Sequence, residues 1–311
     1  MDYLNIHGPL YTEILQGILS EAPDSIPQCY YVVGRRGYGK TGLLRNLEKT
    51  LSESAGYLPR YVDCLMSPSF DIREAILEYN DSESRLVLLL DDMDVLLDTM
   101  ERDDMFVLRS LLYEKGAPVI VGAGAELSDD FTEYQAPFYD AFILHHLKEL
   151  SRDVSVDLFA RMRSETRLRK IDASSKFVSD LFDEIGRTPE TCRLLSGVTS
   201  FDGGSAKVLS EALSPLSLYF RGKIMALSPS QRKTLVFMLS QKEPVLLKDI
   251  REATGQTAGD VSPQLKALGA KGLVLATRPS VKKTEYAVAD KTMNAWFRNC
   301  VVKNPDLSVR I

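Results

Sequence analysis

The chain has 311 residues, of which 44% are hydrophobic and 26% are charged, and its formal net charge at pH 7 is −5. These values are ordinary for globular proteins, and they exclude a strongly basic nucleic-acid coat protein and a strongly acidic disordered chain. A single hydrophobic core rarely serves more than about 250–300 residues, so the length predicts two or three domains.

Membrane insertion, secretion and a cysteine-based metal site are not expected either. The longest apolar run, Leu86–Leu90, is far shorter than the ~18 residues of a membrane span. Residues 1–10 lack the basic start and apolar core of a secretion signal. The four cysteines and three histidines have no metal-type spacing. We therefore expect a soluble cytoplasmic protein without a membrane partner.

Charge is distributed unevenly along the chain. Residues 1–150 carry 12 basic and 26 acidic side chains, a net of −14, and residues 151–220 carry 10 of each. Residues 221–311 carry 16 basic and 7 acidic side chains, a net of +9. An acidic front and a basic back predict different partners for the two ends.

A glycine-rich segment follows the first predicted strand. The β-branched and aromatic run Cys29–Val33 predicts that strand, and leucines spaced along one face predict a helix over Thr41–Leu51. Between them, GRRGYGKT at Gly34–Thr41 fits the phosphate-binding P-loop pattern at every fixed position. Glycines let backbone N–H groups approach phosphate at a helix N-terminus. We predict that a nucleotide is bound by Gly34, Gly37, Tyr38, Gly39, Lys40, Thr41 and Gly42.

Two side chains of this segment carry the predicted chemistry. Lys40 would reach the β- and γ-phosphates and act in catalysis, and Thr41 would supply its hydroxyl to Mg²⁺. The alternative is a simple glycine-rich turn, but the pattern arises by chance in roughly 1% of chains of this length.

An acidic cluster follows the apolar run Leu86–Leu90. Such a run is typical of a parallel strand buried on both faces, and ligands bind at the carboxyl ends of such strands. We predict that Asp91 binds Mg²⁺, directly or through water, and that Asp92 orients or activates the attacking water. The alternative is that Asp92 and Asp94 only cap the next helix, expected around Val95–Leu112. For Asp94 we favour this capping role.

Two further strands are expected in the same sheet. Leu58–Cys64 precedes the acidic strand, and Pro118–Gly124 follows it after a helix. Alternating strands and helices predict an α/β fold, a P-loop NTPase parallel sheet with helices on both faces.

At this point the chain resembles a known family. Val32–Leu44, VVGRRGYGKTGLL, is similar to the P-loop of AAA+ ATPases, above all the archaeal-ATPase branch of the STAND class and the origin-recognition initiator ATPases. Phe142–Ser151 resembles the segment that leads into the family's helical lid. Gly186–Pro189 resembles the element that approaches the nucleotide, which adds Pro189 to the nucleotide-binding residues. Tyr286–Asp290 and Trp296 resemble the end of the family's winged helix. The resemblance covers roughly residues 1–300 and implies ATP as the nucleotide.

The chain departs from the family at two positions. A polar residue usually follows the fourth strand and contacts the γ-phosphate and water, but here the stretch is Gly122–Ala125. Many members have an arginine after the lid proline, whereas this chain has Glu190; Arg187 and Arg193 lie nearby and could substitute. Slow hydrolysis is therefore expected. Arg102, Arg109 and Arg152 are possible arginine fingers, and the sequence selects none of them.

The resemblance and the helical patterns together predict the domain organisation. We expect a nucleotide-binding domain at 1–150, a helical lid at 151–205, a linker helix at 206–227, a winged helix at 228–300 and a tail at 301–311. The lid helices are predicted at Val156–Arg163, Ser174–Ile185 and Pro189–Leu195, and a hinge is predicted at Phe201–Ser205. His145 and His146 are expected to be structural.

The helices and strands predicted over residues 228–290 follow one another in the order of a winged helix. Helices are predicted at Ser228–Leu239, Lys248–Thr254 and Ser262–Lys271, the last with Ser262 as its cap and Pro263 in its first position. A short strand is expected at Pro244–Leu247, and a hairpin at 273–289 with a basic loop, Arg278–Lys283. If the third helix enters a DNA major groove, then Gln264, Lys266, Arg278, Lys282 and Lys283 would contact the DNA.

The sequence thus predicts an ATP-driven switch that binds double-stranded DNA or a DNA-associated protein partner. Its settings would be replication initiation, mobile-element control or phage defence, and ATP would promote assembly of a homo-oligomer. The alternative is a non-hydrolysing, nucleotide-sensing scaffold whose winged helix binds proteins or docks on the acidic front. A small-molecule kinase would leave the net positive charge of residues 221–311 unexplained.

Overall fold

The computed structural model describes residues 6–22, 24–79, 84–280 and 283–302, and for residues 279, 280 and 283 it describes the backbone alone. It divides into two units, which we call the front unit, Met1–Leu150, and the rear unit, Ser151–Ile311.

A five-stranded sheet forms the centre of the front unit. Its order is β2-β3-β4-β1-β5, and every neighbouring pair is parallel. This confirms the predicted fold class and corrects the strand count, because residues 142–146 form a fifth strand where a lead into the lid was expected. The alternation of apolar and polar residues in this fifth strand is weak, because the strand lies at the edge of the sheet and its side chains are partly exposed. The strands are β1 Cys29–Val33, β2 Tyr57–Asp63, β3 Arg85–Asp91, β4 Val119–Gly124 and β5 Phe142–His146.

Both faces of this sheet are covered, which explains the continuous apolar run in β3. Leu88 and Leu90 belong to the hydrophobic cluster on one face, whereas Val87 and Leu89 belong to the cluster on the other. Successive side chains of a strand point to opposite faces, so each face receives every second residue. Full burial of each leucine is worth about 1.5–3 kcal/mol.

The front unit's helices pack around the sheet, and one prediction about them is wrong. The helix expected over Val95–Leu112 is two helices, because the chain turns at residues 98–101. There the Thr99 hydroxyl donates to the Leu96 carbonyl oxygen, and Glu101 is extended. By contrast, the predicted leucine face at 43, 44, 47 and 51 is buried, as expected. The helices are α1 Gly8–Ser20, α2 Lys40–Ser52, α3 Ile72–Leu77, α4 Met93–Leu97 and α5 Arg102–Leu112, with a 3₁₀ turn at Asp129–Phe131.

The described part of the rear unit combines helices with a small antiparallel sheet. The sheet order is β6-β8-β7, with β6 Val245–Leu246, β7 Val274–Ser280 and β8 Lys283–Val288. The helices are α6 Arg152–Glu165, α7 Lys176–Ile185, α8 Pro189–Ser196, α9 Ser205–Leu213, α10 Ser217–Met225, α11 Pro229–Ser240, α12 Leu247–Thr254, α13 Ala258–Ala270 and α14 Lys291–Trp296, which continues as a π-helical turn over Phe297–Val301.

Two helices of the rear unit differ from the prediction. The single helix expected over 206–227 is interrupted by a 3₁₀ turn at Ser214–Leu216, because Pro215 has no N–H for the helical ladder. The third helix predicted for the winged helix begins at Ala258, with Thr257 as its N-cap in place of Ser262. Thr257 and Asp260 form a reciprocal capping box, which satisfies two N-terminal groups at once. Pro263 consequently lies inside this helix.

The expected basic loop is also shorter than predicted. Arg278 belongs to β7 and the backbone of Lys283 belongs to β8. Residues 281–282, including Lys282, lie outside the described part of the chain. The other predicted helices of this unit match α6, α7, α8, α11 and α12 within four residues at each end.

Contacts join the segments predicted as lid and linker helix to residues 296–299. The indole N–H of the fully buried Trp296 donates to the Ser217 hydroxyl at 2.9 Å. The Arg298 guanidinium donates to the Glu184 carboxylate at 3.1 Å, and the Asn299 amide donates to the same oxygen at 3.3 Å. The predicted division of residues 151–311 into lid, linker, winged helix and tail stays a prediction.

Candidate nucleotide-binding site

The P-loop connects the carboxyl end of β1 to the N-terminus of α2. Gly37 and Gly39 have φ angles of 83° and 95°, a conformation that glycine adopts without strain. The Gly34 N–H donates to the Gly124 carbonyl oxygen at 3.0 Å, which ties the loop to the end of β4. The predicted loop residues therefore lie together at the carboxyl edge of the sheet, where parallel sheets bind ligands.

Lys40 is buried inside this loop. Its ammonium donates to the Gly34 carbonyl oxygen at 2.6 Å, and the residue is 8% exposed. Burial lowers the pKa of Lys40, while the negative charges of Asp92, Asp91 and Asp94 oppose the shift. The P-loop thus holds the Lys40 side chain in the electrostatic field of three carboxylates, those of Asp91, Asp92 and Asp94.

Thr41 and Asp91 are brought together by the packing of α2 on β3. The Thr41 hydroxyl donates to Asp91 Oδ2 at 2.6 Å, and the Tyr61 hydroxyl donates to the same oxygen at 2.9 Å. Asp91 Oδ1 is buried and has no hydrogen-bond partner. Mg²⁺ prefers oxygen ligands and keeps several waters, so a hydroxyl next to a carboxylate with one uncompensated oxygen fits this ion. No cluster of three or more His, Cys, Asp or Glu suited to a metal occurs in the described residues.

Asp92 follows Asp91 in a left-handed conformation, with φ 50° and ψ 44°. It occupies the N-cap position of α4, but its side chain makes no capping hydrogen bond. Burial, followed by the charge of Asp91, raises the pKa of Asp92, and Lys40 opposes the shift. A non-glycine residue in this region costs about 1–3 kcal/mol of strain, a cost that often occurs at functional sites.

Asp94 lies in the first turn of α4, as its favoured role at the helix N-terminus predicts, but its carboxylate also makes a contact outside the helix. Asp94 Oδ2 accepts a hydrogen bond from the Ala125 N–H at 2.8 Å, so this carboxylate ties α4 to the segment after β4. Neither Asp92 nor Asp94 caps α4 with its side chain. The sequence indicates only the electrostatic preference of acids for a helix N-terminus. It could not predict the contact with Ala125, which lies 31 residues away in the sequence.

At the end of β4, the space beside Gly122 and Gly124 is occupied by other side chains. A Cβ atom at Gly122 would lie 2.3 Å from Met93 Sδ, and one at Gly124 would lie 2.0 Å from the Tyr31 hydroxyl oxygen. Tyr31 donates to the Glu126 carbonyl oxygen at 3.4 Å. Burial raises the pKa of Tyr31, as do nearby carboxylates, of which Asp94 contributes most.

The sequence patterns do not single out His7. Its Nε2 lies 2.7 Å from the Tyr38 carbonyl oxygen, so this ring nitrogen carries the proton and donates to the P-loop backbone. Burial lowers the pKa of His7, and the hydrogen bond partly opposes the shift. No motif marks this residue, because the contact spans 31 positions.

A cavity of about 410 Å³ lies beside the P-loop. It is lined by the loop itself and by the ends of β4 and β5, including Gly34, Tyr38, Ala125, His146 and Leu147. Pockets of this size hold small ligands.

Known structures share this fold, although no protein-family model matches the chain and no curated protein matches it in sequence. A solved Walker-type ATPase of Pyrococcus abyssi is similar over 94% of this chain and 96% of its own, with a TM-score of 0.66 and 15% identity. The ORC1 protein of Aeropyrum pernix, solved in complex with DNA, is similar over 97% and 94%, with a TM-score of 0.50 and 16% identity. The chain has a P-loop NTPase fold.

Several of the predicted residues lie in the rear unit. Pro189 is the first residue of α8, after a capping box between Thr188 and Thr191. Gly186 has a φ of 85°. Arg187 forms an ion pair with Asp183 at 2.6 Å. The role predicted for Pro189 stays a prediction.

Four of the five predicted DNA-contacting residues lie on α13, β7 and β8 of the rear unit, and Lys282 lies outside the described residues. On α13, Lys266 is exposed and Gln264 is half-buried. Arg278 is exposed on β7, and nothing is described of the Lys282 and Lys283 side chains. Among the candidate arginine fingers, Arg109 is engaged within the front unit, where it donates to the carbonyl oxygens of Pro137 and Tyr139 at 2.7 Å each.

No helix in the described residues combines the length and the apolar composition that crossing a bilayer requires.

Proposed function

We propose that this protein is an ATP-binding molecular switch that hydrolyses ATP slowly and binds DNA or a DNA-associated partner. The observation that carries the proposal is the convergence of Lys40, Thr41 and Asp91 at one P-loop, with the Lys40 ammonium 2.6 Å from the Gly34 carbonyl oxygen and the Thr41 hydroxyl 2.6 Å from Asp91. This P-loop NTPase would belong to the AAA+ or STAND ATPases, act in the cytoplasm and assemble with copies of itself when ATP is bound.

Different residues of the front unit would bind the phosphates and Mg²⁺. Backbone N–H groups of the loop over 34–42 would hold the phosphates, and Lys40 would neutralise the β- and γ-phosphates. Thr41 and Asp91 would hold Mg²⁺, which neutralises the charge on the phosphates when it is bound. The half-buried His7 fixes the Tyr38 carbonyl and so stabilises the loop backbone.

Slow hydrolysis is supported by the surroundings of Asp92. A water would have to be oriented by Asp92, because the end of β4 contributes no polar side chain and the Tyr31 hydroxyl occupies its space. With one positioning group instead of two, less of the barrier is removed by orientation.

The DNA-binding role is supported by the rear unit. Helix, strand, two helices and a hairpin follow one another over residues 229–288, which is the element order of a winged helix. Residues 221–311 have a net charge of +9, and Lys266 and Arg278 are exposed. Positive charge favours phosphate contacts without sequence preference. The similar ORC1 structure contains DNA.

A single experiment tests the switch. ATP turnover is measured with and without duplex DNA, and the mass of the protein is measured by light scattering with and without a non-hydrolysable ATP analogue. We expect slow turnover that DNA stimulates, together with an increase in mass when the analogue is present. Absence of turnover, with and without DNA, together with an unchanged mass in the presence of the analogue would overturn the proposal.

The second candidate is a nucleotide-sensing scaffold that does not hydrolyse ATP. The occupied space at Gly122 and Gly124 favours it. It predicts tight ATP binding with no turnover above background, whether or not DNA is added, and a winged helix that binds protein.

A further inference from the structure

Tyr61 contacts the acidic cluster from a strand that the P-loop motif does not include. It lies on β2, in register with Leu89 of β3, two residues before Asp91. Its hydroxyl donates to Asp91 Oδ2 at 2.9 Å. The Arg45 guanidinium carbon, from α2, lies 3.4 Å from the centre of the Tyr61 ring, close enough for a cation–π contact that holds the ring in place.

This contact determines how the Asp91 carboxylate is oriented. Oδ2 accepts from both Thr41, at 2.6 Å, and Tyr61, at 2.9 Å. Two donors on one oxygen fix the rotation of the carboxylate, and Oδ1 is then the oxygen that remains buried without a partner. Because Thr41 gives its proton to Oδ2, the lone pairs of its hydroxyl oxygen stay available to a cation.

We propose that Tyr61 is a positioning residue of the metal site, whose hydroxyl holds Asp91 with Oδ1 directed to Mg²⁺ or to a water bound by Mg²⁺. This inference rests on the proposed binding of ATP with Mg²⁺. Groups that hold a metal-binding carboxylate commonly change metal affinity by about 10–100-fold when they are removed.

The test is the Mg²⁺ dependence of nucleotide binding in the full chain. A fluorescent ATP analogue is titrated in EDTA and at increasing Mg²⁺ concentrations with wild type and Tyr61→Phe, which removes the hydroxyl and keeps the ring under Arg45. We expect Tyr61→Phe to need about tenfold more Mg²⁺ for half of the affinity gain, with unchanged affinity in EDTA.

Tyr57→Phe is the matched control. Tyr57 lies on the same strand, but its hydroxyl donates to the Ile18 carbonyl oxygen at 3.0 Å, away from Asp91. This variant should keep the Mg²⁺ dependence of the wild type. In an Asp91→Asn background, Tyr61→Phe should cause no further change, because the carboxylate through which it acts is gone.

Three results separate the inference from its premise. An unchanged Mg²⁺ titration in Tyr61→Phe would overturn the role of Tyr61, and so would an equal loss of affinity in EDTA and in Mg²⁺, which indicates a general structural effect. If the wild type itself binds no nucleotide, the proposed function fails. If the wild type binds nucleotide tightly and Mg²⁺ strengthens that binding, the proposed function stands and the variant tests the role of Tyr61 alone.

Discussion

The Tyr31 hydroxyl occupies the space into which a side chain at Gly124 would extend, since a Cβ atom there would lie 2.0 Å from the hydroxyl oxygen and 3.0 Å from Tyr31 Cζ. The two residues lie on neighbouring strands, and Gly124 pairs in register with Val33, two residues after Tyr31. A side chain at the end of β4 therefore requires the Tyr31 ring to shift.

The first prediction follows from this contact. Gly124→Ala should lower the free energy of unfolding by about 1–3 kcal/mol, because the added methyl group overpacks the space. In a Tyr31→Phe background the same change should cost clearly less, since the clashing oxygen is absent. Urea unfolding of the four proteins measures the coupling. Equal costs in both backgrounds would show that the Tyr31 hydroxyl is not the obstacle.

A second prediction concerns the P-loop lysine. Lys40→Ala should abolish binding of a fluorescent ATP analogue, because the cation that faces the phosphates is removed. The fold should survive, since burial already lowers the pKa of Lys40 and so disfavours its charged form. Lys49→Ala, at an exposed lysine on the same helix, is the control and should bind normally. Retained affinity in Lys40→Ala would exclude this site as the phosphate cradle.

A third prediction tests the DNA surface. Simultaneous charge reversal at Arg278, Lys282 and Lys283 should weaken binding to duplex DNA and reduce the salt slope by about one for each phosphate that is no longer neutralised. Fluorescence anisotropy at several salt concentrations measures the slope. Lys170→Glu, at an exposed lysine on a loop of the same unit, changes charge elsewhere and should alter the slope less. An unchanged slope in the triple variant would move the DNA-binding surface to another part of the protein.

The fourth prediction concerns the link between α7 and α14. The Thr292 hydroxyl donates to the Ile185 carbonyl oxygen at 2.7 Å, directly before Gly186. Thr292→Val should lower stability by about 1 kcal/mol, and hydrogen exchange should show lower protection of the amides in α7. Thr277→Val, whose exposed hydroxyl lies 3.5 Å from its acceptor, should change stability by less than about 0.5 kcal/mol. Unchanged protection of α7 in Thr292→Val would contradict the link.

The fifth prediction is a pH dependence. The pKa of His7 is lowered in the folded protein by burial, so the unfolded chain binds its proton at a higher pH than the folded one. The contribution of His7 to the free energy of unfolding is therefore fully present above about pH 6.5. It is lost as pH falls through the folded pKa. Between pH 7.5 and 5.5 the wild type should lose more unfolding free energy than His7→Gln. Equal losses in both proteins would show that His7 contributes nothing.

The local pattern was sufficient wherever a short segment determines its own conformation. The P-loop, the strand before it and the helix after it were predicted from glycine positions, β-branched residues and leucine spacing, and the structure has β1 and α2 there. The sequence patterns predicted helix boundaries poorly where more than one residue could start the helix. Ser262 and Pro263 form a good helix start, but the capping box of Thr257 with Asp260 starts α13 earlier and satisfies more backbone groups.

The α/β class, the P-loop and the acidic end of β3 could be read from the amino-acid order alone, because backbone geometry and burial act on consecutive residues. The folded chain was needed to show that Asp94 bonds to Ala125, that His7 holds the Tyr38 carbonyl and that Tyr61 shares Asp91 with Thr41. These partners lie 30 to 50 positions apart. Strand order and register bring them within hydrogen-bonding distance, and no local pattern encodes that order.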